Sequence, residues 1–220
     1  MDVRSLETVI WDFNGTLIDD LCLAVRSINV ELERRGLPLV TVASYREVFA
    51  FPMADYYVRL GFDLTAETME GLADEFHETY LPGLPSCPLH EGVADILEAL
   101  SGLGIAQYVL SAMEEETLRA SLKRLGIARC FQGVYGLGNR LADSKLSRGR
   151  DLVSDFQIAA ETALFIGDTD HDLEVANALG TQVVLVAQGH QSAQKLRALG
   201  SPVFATFHEL RQALVPLTLL

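Results

Sequence analysis

Thr8-Val9-Ile10-Trp11-Asp12-Phe13-Asn14-Gly15-Thr16-Leu17 is an apolar run that ends on a carboxylate and breaks at once into a glycine-containing turn. A short apolar run bounded by a turn reads as a buried strand. The strand fixes Asp12 and the turn exposes it, so Asp12 is a candidate nucleophile or metal ligand. Asn14 is the second informative position, because the chemistry developed below would favour an acid there.

Similar apolar runs recur at 105–110, 163–166 and 182–186, with weaker ones at 131–135 and 203–205. Helix-like segments lie between most of them, at 93–103, 115–125, 146–156, 172–179 and 192–199. Gly104, Gly126, Gly180 and Gly200 supply legible helix stops. Buried strands alternating with helices predict an α/β fold: a three-layer, Rossmann-like core with a parallel sheet covered on both faces. Residues 17–88 break the pattern, with helix-like segments near 18–35, 44–60 and 66–80 and no convincing strand. The proline-rich stretch Pro82-Gly83-Leu84-Pro85-Ser86-Cys87-Pro88 then returns the chain to the sheet. The expected organisation is a catalytic core of 1–16 and 89–220 and a small all-helical cap of 17–88, hinged near 17–20 and 81–89.

The chain has 220 residues and a formal net charge of −13, with lysine only at Lys123, Lys145 and Lys195. That balance argues against nucleic acid, whose phosphates need clustered Lys and Arg. An anionic substrate would need local positive charge from a metal or from a few basic side chains. Cys22, Cys87 and Cys130 are odd in number and widely spaced, which predicts free thiols in a reducing cytoplasm and neither a disulfide framework nor a zinc site. The opening Met1-Asp2-Val3-Arg4 leads into a short strand and not a long apolar stretch, so no secretory leader is expected. No run reaches the ~20 apolar residues of a membrane span, the closing 215–220 included, so no membrane association is expected.

A second strand-like run, 163–166, leads into Gly167-Asp168-Thr169-Asp170-His171-Asp172. In open α/β sheets, sites form beyond the carboxyl ends of strands, so Asp12, Asp168 and Asp172 are expected to converge there. Such a cluster needs a cation, and an all-oxygen donor set suits Mg²⁺. The competing reading, that Asp168 and Asp172 only cap a helix, is disfavoured because the strand-then-helix context occurs twice. Another run ends in Val109-Leu110-Ser111-Ala112-Met113, where a hydroxyl and backbone N–H groups can meet an oxyanion; a surface-turn serine is the plainer alternative. Lys145 precedes a helix-like segment, and a nucleophilic carboxylate facing a phosphate dianion needs a fixed cation beside it.

In order and spacing, Asp12-Phe13-Asn14-Gly15-Thr16-Leu17, Ser111, Lys145 and Gly167-Asp168-Thr169-Asp170-His171-Asp172 resemble the four motifs of the haloacid dehalogenase-like hydrolase superfamily. The helical insert resembles the cap of its phosphoglycolate-phosphatase-like branch, as do Tyr45-Arg46-Glu47-Val48-Phe49-Ala50-Phe51-Pro52, Tyr56-Tyr57 and Leu60-Gly61-Phe62. The resemblance implies a cytoplasmic phosphatase, monomeric or homodimeric, acting on a small phosphorylated metabolite, with phosphoglycolate the nearest substrate by resemblance. Asp12 would attack phosphorus and form an aspartyl-phosphate that water then hydrolyses. Mg²⁺ would be held by Asp12, the backbone carbonyl of Asn14 and Asp168, with Asp172 acting on the metal or through water and Lys145. Ser111, Ala112 and Thr16 would bind the phosphoryl group, and Lys145 would neutralise charge on it and on Asp12.

Most phosphatases of the superfamily carry Asp where this chain has Asn14, which keeps the shape and a hydrogen bond but exchanges no proton. Three explanations stand. The leaving groups need little protonation, as with acyl or aryl phosphates; another acid substitutes, among Asp19, Asp20, Asp170 and His171; or the protein mainly binds phosphometabolites. The absence of lysine from 17–88 disfavours the Schiff-base chemistry of phosphonate-cleaving relatives. Asp168 and Asp172 disfavour metal-free dehalogenation, and Asn14 disfavours a mutase. Arg46 and Arg59 are candidates for an anionic substrate tail, with solvated helix charges as the equal alternative. His77 and His90 carry no assigned role.

Overall fold

The structure is a computed structural model and describes residues 5–138 and 145–214. The opening four residues and the closing apolar stretch 215–220, read above for a leader and a span, lie outside them. Among the described residues no helix is long and apolar enough to cross a membrane.

The first strand, β1 (Thr8–Trp11), is buried along its whole length. It is followed by four helices without an intervening strand: α1 (Leu21–Arg34), α2 (Val42–Val48), α3 (Met53–Leu60) and α4 (Met69–Gly83). Then come α5 (Val93–Gly102), β2 (Ala106–Glu114), α6 (Glu115–Arg124), β3 (Gly133–Leu137), α7 (Lys145–Asp155), β4 (Ala163–Gly167), α8 (Asp170–Leu179), β5 (Gln182–Val186), α9 (Ala193–Arg197), β6 (Val203–Phe204) and α10 (Phe207–Leu214). The six strands form one sheet in the order β3-β2-β1-β4-β5-β6, and every pairing is parallel. The order reverses between β1 and β4, where ligands bind in open α/β sheets.

Successive strand residues point to opposite faces. Val9 and Trp11 therefore enter one core with Leu164 and Ile166, beneath Val93, Ile96 and Leu100 of α5 and Leu118 and Leu122 of α6. Ile10 and Phe165 enter the other, against Leu152 of α7 and Val175 of α8. This is why the strands read as continuous apolar runs. The first core continues without a break into α1, α3 and α4 through Ile28, Leu32, Tyr56, Leu72 and Tyr80.

Two connections join the helical insert to the sheet, and they run side by side. The Asp19 N–H donates to the Pro88 carbonyl and the His90 N–H to the Leu17 carbonyl. The segment expected as one helix over 44–60 is two, α2 and α3. Proline disfavours a helical residue before it and lacks the N–H a helix interior needs, so Pro52 becomes the cap of α3 instead. The strand expected to end at 110 continues to Glu114, with an irregular register after Leu110. α10, absent from the sequence reading, buries Phe207, Leu210 and Leu214 against the α5 face.

Glu31 of α1 is fully buried. Its Oε1 accepts from the Tyr57 hydroxyl, while its Oε2 has no partner. Burial, reinforced by Glu75, pushes its carboxyl up to about 8 from an ordinary 4.5. The folded state therefore holds a proton that the unfolded chain releases, and this contribution to stability is complete below about 4.5 and lost as the pH rises through about 8. Glu31→Gln removes the titration. Urea unfolding is expected to show the variant more stable than the parent by about 1–3 kcal/mol near pH 8.5, with the gap closing by pH 5.

Candidate active site

Asp12 follows the end of β1, and its N–H donates to the Ile166 carbonyl of β4 at 2.8 Å. Asp168 follows β4, and Asp172 sits in the first turn of α8. Facing carboxylate oxygens of the three all lie within 4.8 Å of one another, and all three residues are buried. The reversal of strand order between β1 and β4 brings the two strand ends together.

Each acid has a different set of partners. The Lys145 ammonium, at the start of α7, bonds Asp12 Oδ1 and reaches Asp172 Oδ1 at 2.6 Å. Among the described residues no hydrogen bond reaches Asp12 Oδ2. Asp172 Oδ2 accepts from the N–H groups of Asp168 and Thr169 and from the Thr169 hydroxyl. Thr169 in turn receives the Asp172 N–H, closing a capping box. Both oxygens of Asp172 are therefore engaged by protein, and its tie to the centre runs through Lys145. Asp168 Oδ1 accepts from the Thr16 hydroxyl at 2.8 Å, and Oδ2 from the His190 N–H at 2.6 Å. Two glycines make room for it. Gly15 has φ +70°, and a Cβ there would fall 2.5 Å from Asp168 Oδ2; a Cβ on Gly189 would collide with the same carboxylate.

Burial raises the Asp12 carboxyl, and the charges of Asp172 and Asp168 add to the effect, together outweighing Lys145. Burial likewise raises Asp168. Burial works against the charge on Lys145, but Asp12 and Asp172 outweigh it and hold the ammonium above its usual range. One ammonium against three carboxylates leaves net negative charge in a low-dielectric site. An all-oxygen donor set with that imbalance fits a hard divalent cation such as Mg²⁺.

Beside Asp12 lies a second network that the sequence reading did not assemble. Asn14 Nδ2 donates to Asp20 Oδ2 at 3.0 Å and lies 2.7 Å from the Tyr80 hydroxyl. That hydroxyl donates to Asp20 Oδ2, and the Gly15 N–H to Asp20 Oδ1. His190 Nε2 lies 3.2 Å from Asp20 Oδ1, and its Nδ1 lies 3.1 Å from the Tyr45 hydroxyl. Burial alone would raise Asp20, yet His190 and the Tyr80 and Asn14 hydrogen bonds bring it down to about 2. Burial alone would lower His190, yet Asp20 and Asp168 lift it to about 9. A signal for His190 was present: Gln188-Gly189-His190-Gln191 follows the carboxyl end of β5, next to β4.

A cavity of about 410 Å³ opens over these groups, lined at its base by Asp12, Asn14, Ser111, Ala112, Lys145 and Asp168. Ser111 lies in β2, and its Oγ accepts from the Met113 N–H at 3.1 Å. Two expected ligand-binding residues are placed elsewhere. Thr16 is fully buried behind Asp168 and positions that carboxylate. Arg46 of α2 donates to the Gln188 and Gly189 carbonyls, pinning the insert to the core, and does not line the cavity. Of the substitute acids considered, Asp19 is exposed, Asp170 accepts from Gln191, and His171 stacks on Phe51 at the cavity edge. Arg59 is exposed and does not line the cavity. His90 Nε2 lies 3.0 Å from the Gly15 carbonyl, and His77 Nδ1 2.6 Å from that of Ala73.

The profile of haloacid dehalogenase-like hydrolases matches residues 9–186. The chain belongs to that family. A phosphoglycolate phosphatase from Rhodospirillum rubrum is 30% identical over 216 residues, covering 93% of this chain and 89% of that protein. A 5′-nucleotidase from Pseudomonas aeruginosa is 29% identical over 194 residues, covering 86% of each. In fold, the chain is similar to a haloacid dehalogenase-like hydrolase from Streptococcus pneumoniae, with a TM-score of 0.80 at 22% identity over 95% of this chain and 98% of that one. The six-stranded parallel sheet with helices on both faces agrees with the α/β core that the motifs implied.

Removing one partner of a buried ion pair typically costs about 3–5 kcal/mol, because the other charge is left uncompensated. In EDTA, Lys145→Met is expected to lose stability on that scale by urea unfolding. Adding Asp12→Asn should return part of the loss, since it deletes a stranded carboxylate. Equal and additive losses would show that Lys145 contributes only packing.

Proposed function

We propose that this protein is a Mg²⁺-dependent phosphomonoesterase that cleaves a small phosphorylated metabolite through an aspartyl-phosphate on Asp12. The observation that carries the reading is the division of the Asp12 carboxylate. One oxygen is held by Lys145, and the other receives no hydrogen bond from the described residues at the base of the cavity. Its likeness to a phosphoglycolate phosphatase and a 5′-nucleotidase supports phosphomonoester hydrolysis as the reaction class.

In the first step an Asp12 oxygen bonds to phosphorus and the ester P–O bond breaks, its electron pair leaving with the alcohol oxygen. In the second, water attacks the same phosphorus, the P–O bond to Asp12 breaks with its electron pair returning to the carboxylate, and the water's proton passes to an oxygen of the departing phosphate. Lys145 holds Asp12 in place and offsets charge on the transferring group, while Asp172 holds Lys145. The Ser111 hydroxyl and the Ala112 N–H would bind phosphoryl oxygens; both residues line the base of the cavity. Thr16, the His190 N–H and the two glycines set the position of Asp168. Asp12, the Asn14 carbonyl and Asp168 would hold Mg²⁺, which supplies charge neutralisation for the phosphoryl oxygens when bound. Positioning and charge stabilisation provide most of the catalysis in phosphoryl transfer. We read the four-helix insert, 17–88, as the cap that closes the cavity from solvent, in the manner of lids that gate other enzymes. The α2 contacts to Gln188 and Gly189 support a closed arrangement.

Phosphate release from p-nitrophenyl phosphate is expected to require Mg²⁺, to stop in EDTA and to fall at least ~10³-fold in Asp12→Asn. Mg²⁺ should also raise the melting temperature of the EDTA-treated protein, and Asp168→Asn should abolish that rise. Metal-independent release, or full activity in Asp12→Asn, would overturn the reading.

A further inference from the structure

The upper wall of the cavity has a character of its own. Phe51, Met53, Met69, Phe76 and Met113 give it an apolar, partly aromatic surface. Three tyrosines also line it, but their hydroxyls are engaged: Tyr57 with Glu31, Tyr45 with His190 and Tyr80 with Asp20. No arginine lines it among the described residues, and its one lysine is Lys145, held by Asp12 and Asp172. Nearby cations are turned away, with Arg46 on the carbonyls of Gln188 and Gly189 and Lys195 on that of Phe49. The acidic side chains Glu70 and Glu114 lie at the cavity instead. Among the described residues the cations at the cavity, Lys145 and His190, already face protein partners, so a carboxylate or second phosphate on the substrate would be taken from water into this space without an unpaired cation, which is costly. A flat apolar group would gain the burial of its surface and contact with aromatic rings.

The base of the cavity points the same way for an independent reason. An ester oxygen leaving as an alkoxide needs a proton, and the side chain next to Asp12 at position 14 is an amide that gives none. The Asp20 carboxylate behind it is surrounded by four groups: the Gly15 N–H, the Asn14 amide, the Tyr80 hydroxyl and His190. Both ring nitrogens of His190 already face protein partners, Asp20 and Tyr45. A phenolate leaves without that assistance.

We propose that the alcohol half of the substrate is an uncharged aromatic ring system, so that the protein is an aryl-phosphate phosphatase. This rests on the phosphomonoesterase reading and narrows it. In the first step the phenolate takes the electron pair of the broken P–O bond and is protonated by solvent after release. The volume of about 410 Å³ falls in the range of ordinary small-molecule sites and leaves room for a fused ring beyond the phosphoryl group.

The test compares kcat/KM for 1-naphthyl, phenyl, octyl and adenosine 5′-phosphates and phosphoglycolate, each with Mg²⁺ and with Asp12→Asn as background. The expected order places both aryl esters at least ~10-fold above the other three, with a lower KM for naphthyl than for phenyl. Across substituted phenyl phosphates, kcat/KM should climb steeply with the acidity of the phenol, and Asn14→Asp should flatten that dependence. Phe76→Arg should shift the naphthyl-to-phosphoglycolate ratio at least ~10-fold towards phosphoglycolate, chiefly through KM. Preference for phosphoglycolate or the nucleotide in the unmodified protein overturns the proposal and leaves the phosphatase reading standing. Octyl phosphate matching naphthyl phosphate overturns the aromatic requirement. Absence of Asp12-dependent release from every ester overturns the phosphatase reading, and this proposal with it.

Discussion

Three carboxylates share a buried site at the one place where the strand order of the sheet reverses, and most of the local structure follows from the need to keep them there. Buried charges that are not compensated cost several kcal/mol each. Lys145 answers two of them directly. The amides of Asp168 and Thr169 answer one oxygen of Asp172, while Thr16 and the His190 amide answer Asp168. The glycines at 15 and 189 are small because the Asp168 carboxylate occupies the space a side chain would take. Negative charge left over by these contacts fits a divalent cation as a further partner of the cluster.

The helical insert extends the first core, and it also completes the electrostatics of the site. Tyr80 of α4 and Asp20 before α1 enter the network that holds Asn14, while Tyr45 of α2 meets His190 from above. The loop after β5 is the meeting point. It carries His190 towards Asp20, presents its N–H to Asp168, and offers two carbonyls to Arg46 and the Gln191 amide to the Phe49 carbonyl. Opening the insert would therefore break contacts to the same loop that orients Asp168. Residues 188–191 therefore link the insert mechanically to the position of Asp168.

The features that sequence disclosed were those with a local cause. β1, β4 and β5 are apolar on both faces because helices cover both faces, so each reads as an unbroken run. Asp12, Asp168 and Asp172 read as a cluster because a strand end followed by a turn or helix start is a local pattern. Partners chosen by tertiary packing were not legible. Nothing near Arg46 indicates that its guanidinium turns to the 188–189 carbonyls, and nothing near Thr16 indicates that its hydroxyl faces Asp168 from behind. Pro52 did carry a local signal for splitting the 44–60 segment, through the missing N–H and the crowding of the residue before it. α10 was hidden because its three buried positions acquire meaning only once the α5 face is known to be open.

Asn14 and Asp20 make sense as a pair. An amide at position 14 donates to Asp20 Oδ2 at 3.0 Å; a carboxylate in the same place would oppose a second carboxylate at hydrogen-bond distance. Two such acids cannot both ionise cheaply, so one would retain a proton. In this chain the acid that faces the cavity wall is Asp20, kept ionised by His190 and three donors, and position 14 is the neutral member that bridges it to Tyr80. The network is thus built to hold a fixed negative charge against a fixed positive one. A device that shuttles a proton requires the opposite, a group whose two protonation states are close in energy at working pH. The amide beside Asp12 and the apolar wall above it support one substrate chemistry, in which the leaving oxygen carries its own charge away and the cavity recognises what is attached to it.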